Sequence, residues 1–233
     1  MAEKKSIVFD SGPIISFTLN NLLWLLEPLK KKFGGEFLIS EETKKELVDR
    51  PMDTKKFKFE AYQIIDLLKR GVLTEVMNKE IEEESEKMLE VANNCYYIKA
   101  QPLTILHKAD ACGLVLANRE DSRCFVVDER TERLLVENPL RLRNLLERRM
   151  HAGVRMNKDN IRKFMEISKG AKMIRSVELA TVAYELGLLD KYVEKGEYGK
   201  RNLLDALLWA LKLNGCAVSE DEIEQIIKIE SKR

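Results

Sequence analysis

Ser6-Ile7-Val8-Phe9-Asp10-Ser11-Gly12-Pro13 is the stretch that decides the fold. A short apolar run stops at an aspartate, a small hydroxyl residue, a glycine and a proline, then gives way to the apolar residues 14–29. That order reads as buried strand, tight turn, helix. The cycle repeats at once: Phe37-Leu38-Ile39 reads as a strand and Ser40 as an N-cap, with a helix through Glu46 that ends before Pro51. A helix over residues 56–70 closes at Gly71, and residues 72–77 form a third strand. Pro102 opens a strongly apolar helix that reaches residue 118, and Cys124-Phe125-Val126-Val127 is a further buried strand ending at Asp128. Strands alternating with helices predict an α/β fold: a mainly parallel sheet with right-handed crossovers and helices on both faces.

Beyond about residue 139 the pattern turns helical, with helices over 157–168, 176–192, 202–213 and 219–229 and no clear strand. Two units are therefore expected: an α/β domain over residues 1–138, and a helical C-terminal extension over 139–233, packed on it or forming a subdomain. The acidic residues 80–90 read as the solvated face of a helix.

Composition narrows the function classes. A chain of 233 residues that is 45% hydrophobic buries a sizeable core. Forty basic residues against thirty-nine acidic ones leave no global positive field, so a nucleic-acid site must be a local basic patch. Four cysteines lie far apart without a C-x-x-C pair and read as reduced, buried thiols. Two histidines cannot easily assemble a nitrogen-rich zinc site, so a bound metal would take oxygen ligands. No apolar stretch approaches the ~20 residues that span a bilayer, and the expectation is a soluble, cytoplasmic protein without a membrane role.

Two predicted strands end in an aspartate, Asp10 and Asp128, and parallel sheets hold ligands at the carboxyl ends of their strands. Each aspartate also reads as a helix cap, Asp10 with Ser11 for the helix after the first strand and Asp128 for the helix over 129–137. Asp110 is harder to explain as a cap. It falls with Leu103, Leu106, Gly113, Leu114 and Ala117 on or beside an apolar helical face, where a carboxylate needs a cationic partner or a metal. Glu46 on its own reads as a solvent-facing helix residue. Taken together, these carboxylates make an oxygen-rich, negatively charged pocket suited to Mg²⁺ or Mn²⁺ and to phosphoryl chemistry by one metal ion or a pair.

Val8-Phe9-Asp10-Ser11-Gly12-Pro13-Ile14-Ile15 resembles the opening motif of PIN-domain nucleases. Ile39-Ser40 through Glu46-Leu47-Val48 is similar to the second motif, and Ala109-Asp110-Ala111 followed by Gly113-Leu114-Val115-Leu116-Ala117 to the third. Val126-Val127-Asp128-Glu129-Arg130-Thr131-Glu132-Arg133 is similar to the fourth, in its D-E-R form. The match spans roughly residues 5–137, with the motifs in the family's order. The resemblance implies a three-layer α/β/α sandwich, Mg²⁺ or Mn²⁺ dependence, and cleavage of single-stranded RNA. It also implies a catalytic and metal-binding set of Asp10, Glu46, Asp110 and Asp128. The tail from Val177-Glu178-Leu179 through Gly187-Leu188-Leu189 looks like a prokaryotic, toxin-like subfamily, although the segment over 140–172 is long for that group.

Near the site, Ser11, Arg130 and Arg133 are candidate substrate contacts, and the two arginines equally suit ion pairs with the acids. Arg141, Arg143, Arg148, Arg149 and Arg155, opposed only by Glu147, either track an RNA backbone or form a solvated helix face. A haloacid-dehalogenase-type phosphatase is disfavoured because the position two after Asp10 is Gly12, and a Rossmann-type nucleotide binder because the turn holds one glycine before a proline. The rivals to an active endoribonuclease are a catalytically weak or inactive PIN-fold module that binds RNA or protein, and the toxin of a toxin–antitoxin pair held by an antitoxin or other protein partner. A homodimer fits either active reading.

Overall fold

The computed structural model describes residues 5–120, 124–168, 171–193 and 199–231. Its strands are β1 (Ser6–Phe9), β2 (Glu36–Ser40), β3 (Thr74–Val76), β4 (Tyr96–Ile98), β5 (Gln101–Pro102), β6 (Cys124–Val126), β7 (Val154–Met156) and β8 (Met173–Ile174). The helices of the first half are α1 (Ser11–Leu19), α2 (Leu26–Phe33), α3 (Glu41–Lys44), α4 (Arg50–Met52), α5 (Lys58–Lys69), α6 (Lys79–Ala92) and α7 (Lys108–Arg119). Those of the second half are α8 (Arg130–Glu137), α9 (Pro139–Met150), α10 (Lys158–Ser168), α11 (Ser176–Glu185), α12 (Lys200–Leu213) and α13 (Glu220–Glu230).

Five strands form one sheet in the order β3-β2-β1-β6-β8, with every neighbouring pair parallel. The pleat sorts the apolar side chains into two cores. Ile7, Phe9, Phe37, Ile39, Cys124 and Val126 enter one, together with residues of α1, α2, α5, α11, α12 and α13. Val8, Leu38, Phe125 and Val127 enter the other, together with residues of α6, α7, α8, α9 and α10. Strands buried on both faces explain why their sequences read as continuous apolar runs. The result is a three-layer α/β/α sandwich.

A methyl group on Gly113 would lie 2.6 Å from the Phe125 ring, so this glycine is what lets α7 settle closely onto β6. That contact fixes the height of α7, and with it the position of Asp110 at its first turn. All four cysteines are free and buried. No helix among the described residues is long and apolar enough to cross a membrane.

Several local expectations are corrected. The helix expected over 14–29 is interrupted, with Asn21 in a left-handed conformation and a 3-10 turn at Leu23–Leu25 before α2. The helix carrying Glu46 does not end before Pro51. It passes through a widened π turn over Lys45–Asp49 into α4, whose first turn tolerates a residue without an N–H. Pro102 does not open a helix; it sits in edge strand β5, and α7 begins only at Lys108.

The last third also contains strands. β7 pairs antiparallel with β4, which pairs in turn with β5, to form a second, three-stranded sheet. β8 is the fifth strand of the main sheet. Strands of three and two residues are too short to carry a readable period. Among the described residues beyond 138, α9 and α10 cover the second core, and β8 through α13 complete the first.

Candidate metal centre

The chain leaves β1 outward to β2 and β3, then returns to the other side of β1 as β6 and β8. The crevice at the carboxyl ends of β1 and β6 is therefore the switch point at which open parallel sheets hold ligands. Asp10 follows β1 directly and is the N-cap of α1, where its Oδ2 accepts the Gly12 N–H at 3.1 Å. Its Oδ1 is buried and has no partner among the described residues. Asp110 lies in the first turn of α7, and its Oδ2 accepts the His107 N–H at 2.7 Å. Glu132 lies on α8 at 1% exposure, and neither of its carboxylate oxygens has a partner among the described residues. One oxygen from each of Asp10, Asp110 and Glu132 falls within 4.8 Å of the other two, a spacing that one metal ion can bridge.

The electrostatics follow from that crowding. Burial, then the charge of Asp110, push Asp10 from its ordinary 3.8 up to about 7. Burial, with Glu129 and Glu46 adding to it, pushes Asp110 up to about 6. Glu132 is held well above the ordinary glutamate value by burial and then by Asp110, Asp10 and Glu129. The charges that raise Glu132 among the described residues are those of other carboxylates. Such a site resolves its repulsion by keeping protons or by taking a cation.

No protein-family model, curated protein or solved structure matches the chain. What the site can do therefore follows from its own donor set. Three converging carboxylates with three unpartnered oxygens among them offer hard, anionic ligands, which suit a hard divalent cation far better than a soft one. The buried acidic cluster can hold a metal ion.

The remaining sequence candidates take other places. Glu46 is at the rim, its side chain 28% exposed. Its Oε2 accepts the Ser11 hydroxyl at 2.8 Å, and its Oε1 lies 3.4 Å from Arg50. It stands outside the triad, although its charge is felt by both Asp10 and Asp110. Ser11 thus holds Glu46. Arg130 opens α8 half-buried. Arg133 is largely buried with its Nε 3.5 Å from Glu137, so it pairs with a carboxylate outside the triad. In the arginine-rich segment, Arg143 pairs with Glu147 and donates to the Val154 carbonyl, and Arg155 lies over the Tyr97 ring.

Asp128 is buried beside Asp10 but is not one of the three clustered acids. Nor does it cap α8, whose N-cap is Glu129. Its Oδ1 accepts the Ser176 N–H at 2.7 Å and its Oδ2 the Ser16 hydroxyl at 2.9 Å. Its carbonyl accepts the Ala217 N–H as well. One aspartate therefore ties β6 to α1, to the start of α11 and to the segment before α13. The N-terminal end of α11 also favours its negative charge. Asp128→Ala would leave the buried Ser176 N–H unsatisfied and leave the Ser16 hydroxyl only its longer bond to the Asn214 carbonyl. The expected cost is about 2–4 kcal/mol, with most of it recovered in Asp128→Asn, and chemical denaturation of the two variants checks this.

Sequence reasoning missed Glu132. The signal was present: Glu132 precedes Leu135 and Val136 by three and four positions, and both are buried. That spacing puts it on the apolar face of α8, which is the argument that singled out Asp110.

Proposed function

We propose that this chain is a PIN-type nuclease that hydrolyses the phosphodiester bonds of single-stranded RNA in a Mg²⁺- or Mn²⁺-dependent manner. The observation that carries this reading is the buried convergence of Asp10, Asp110 and Glu132 at the switch point of the sheet, with unpartnered oxygens on Asp10 and Glu132. The motif resemblance, in which Asp10, Glu46, Asp110 and Asp128 occupy acidic positions, supplies the reaction class.

In this reading Asp10, Asp110 and Glu132 hold the cation. The chemistry such an ion supplies is neutralisation of charge on the phosphoryl oxygens and acidification of the attacking water. The Gly12 and His107 N–H groups fix one oxygen each of Asp10 and Asp110, so those carboxylates are oriented before any ligand arrives. Glu46, oriented by Ser11 and reached by solvent, is the group placed to accept a proton from the attacking water. In this reading Asp128 positions the elements around the crevice through its bonds to Ser16, Ser176 and Ala217.

The test is cleavage of an end-labelled single-stranded RNA by purified protein in Mn²⁺, Mg²⁺ or excess EDTA. Cutting that needs the metal is expected. Absence of cutting in every metal would sink the nuclease and favour a PIN-fold binding module or a toxin awaiting release from its partner. A companion variant probes the ligand set. Glu132→Gln mimics the protonated acid that burial already favours, so apo stability at neutral pH is expected to change by less than about 1 kcal/mol. The rise in melting temperature on adding Mn²⁺ is expected to disappear. An undiminished rise would remove Glu132 from the metal site.

A further inference from the structure

Residues 54–62 read Thr-Lys-Lys-Phe-Lys-Phe-Glu-Ala-Tyr, three lysines interleaved with three aromatic rings. Lys55, Lys56 and Lys58 are exposed and form no ion pair among the described residues. Phe59 is 71% exposed and Tyr62 54%, three residues apart on α5 and so on neighbouring stretches of one face. Phe57 is held in the left-handed conformation at φ 63°, which a bulky side chain rarely adopts without a reason in its surroundings. Its ring carries the Lys56 ammonium 4.6 Å above it.

That ring lines a small cleft of about 100 Å³, together with Ile15, Leu19, Leu47, Pro51 and Glu46. Glu46 is the rim residue of the acidic centre, so the cleft and the centre share a residue, whose charge is felt by Asp10. The walls of the cleft are apolar, and its charged members, Glu46 and Glu60, are acidic. A phosphate is repelled there, whereas the flat apolar face of a nucleobase is not. The lysines lie outside the cleft, where a sugar-phosphate backbone would run.

We propose that the 54–62 segment is a base-stacking platform for single-stranded RNA, with Phe57 seating a base beside the acidic centre, Phe59 and Tyr62 offering faces further along, and Lys55, Lys56 and Lys58 taking the phosphates. Alternating cations and aromatic faces are what sequence-tolerant single-strand binding requires. The inference rests on the nuclease reading for its substrate class but concerns binding, which is measured apart from cleavage.

The experiment is fluorescence anisotropy of a labelled 12-nucleotide RNA in EDTA, where no cutting occurs, with the wild type, Phe59→Ala/Tyr62→Ala and Phe57→Asn. Asparagine tolerates the left-handed backbone at position 57, and residues 59 and 62 are exposed, so each variant should fold. An unchanged melting temperature checks that. Affinity is expected to fall roughly ten-fold for each ring removed, and a similar loss is expected when the wild type meets an abasic oligonucleotide. Wild-type protein that fails to bind, variants that bind as well as the wild type, or an abasic strand bound equally tightly would each overturn the platform. So would loss of self-association in the variants with RNA affinity intact, which would assign the rings to contact with a second copy of this chain. Failure of the nuclease reading has a different signature, in which RNA is bound and the rings matter but no metal supports cutting.

Discussion

Asp10→Asn is expected to lower RNA cleavage by about 10³-fold or more while leaving the protein folded. The two halves of that expectation come from the two oxygens of one side chain. Oδ2 caps α1 by accepting the Gly12 N–H, and asparagine is an equally good cap, so the start of the helix survives. Oδ1 is buried without a partner among the described residues, and the substitution removes the carboxylate's charge from the ligand set. Volume is nearly unchanged, which matters because the residue is buried against Gly12 and close to Asp128. The measurement is single-turnover cleavage in Mn²⁺ with circular dichroism and thermal melting beside it. A folded variant that cuts within ten-fold of the wild type would remove Asp10 from the reacting centre. A variant that unfolds would instead show that the Asp10 carboxylate holds the fold through an interaction that asparagine cannot replace.

The sheet was legible because its signal is redundant. β1, β2 and β6 are apolar runs closed by Asp10, Ser40 and Asp128, and burial on both faces requires such runs. The cap at Ser40 and the left-handed turn at Gly71 were readable for local reasons that survive folding. What could not be read was set by tertiary pairing. Met173–Ile174 is a strand only because β6 lies beside it, and Pro102 leaves its helix only because Tyr97 offers it an edge. The site shows the same split. Asp10 and Asp110 were found from strand ends and helical faces, whereas the fate of Asp128 depended on Ser16 and Ser176, which are 112 and 48 residues away. An aspartate after a strand announces the crevice; only the fold decides whether its oxygens face a ligand or a helix end. Glu132, one turn further on, has the free oxygens that Asp128 lacks.

Without metal, the melting temperature is expected to fall as pH rises from 5 to 8, by roughly 5–15 °C, and saturating Mn²⁺ should abolish or reverse that fall. The sign comes from Asp10 at about 7 and Asp110 at about 6, both above the ordinary 3.8 that the unfolded chain retains. The folded state therefore binds these protons more tightly than the unfolded state does. The stability they contribute is complete below about pH 4 and is lost as pH climbs through 6 and 7. Glu132, displaced in the same direction, acts in the same sense. Shifts of this size amount to about 2–4 kcal/mol across the window once the coupling of the acids is allowed for. Glu222 does not interfere: despite its partial burial, hydrogen bonds from Ser219 and the nearby Arg175 hold it down to about 2, so it titrates well below this range. A divalent cation competes for the same oxygens as the protons, and its stabilisation should therefore grow with pH as the apo protein weakens. Asp10→Asn removes a carboxyl that titrates near 7 and should flatten the apo profile even where no RNA is present. Thermal melts at pH 5, 6, 7 and 8 in EDTA and in Mn²⁺ decide the matter. An apo profile that is level or rising would mean that the three acids are already compensated within the protein, and the case for a metal at this crevice would fall with it.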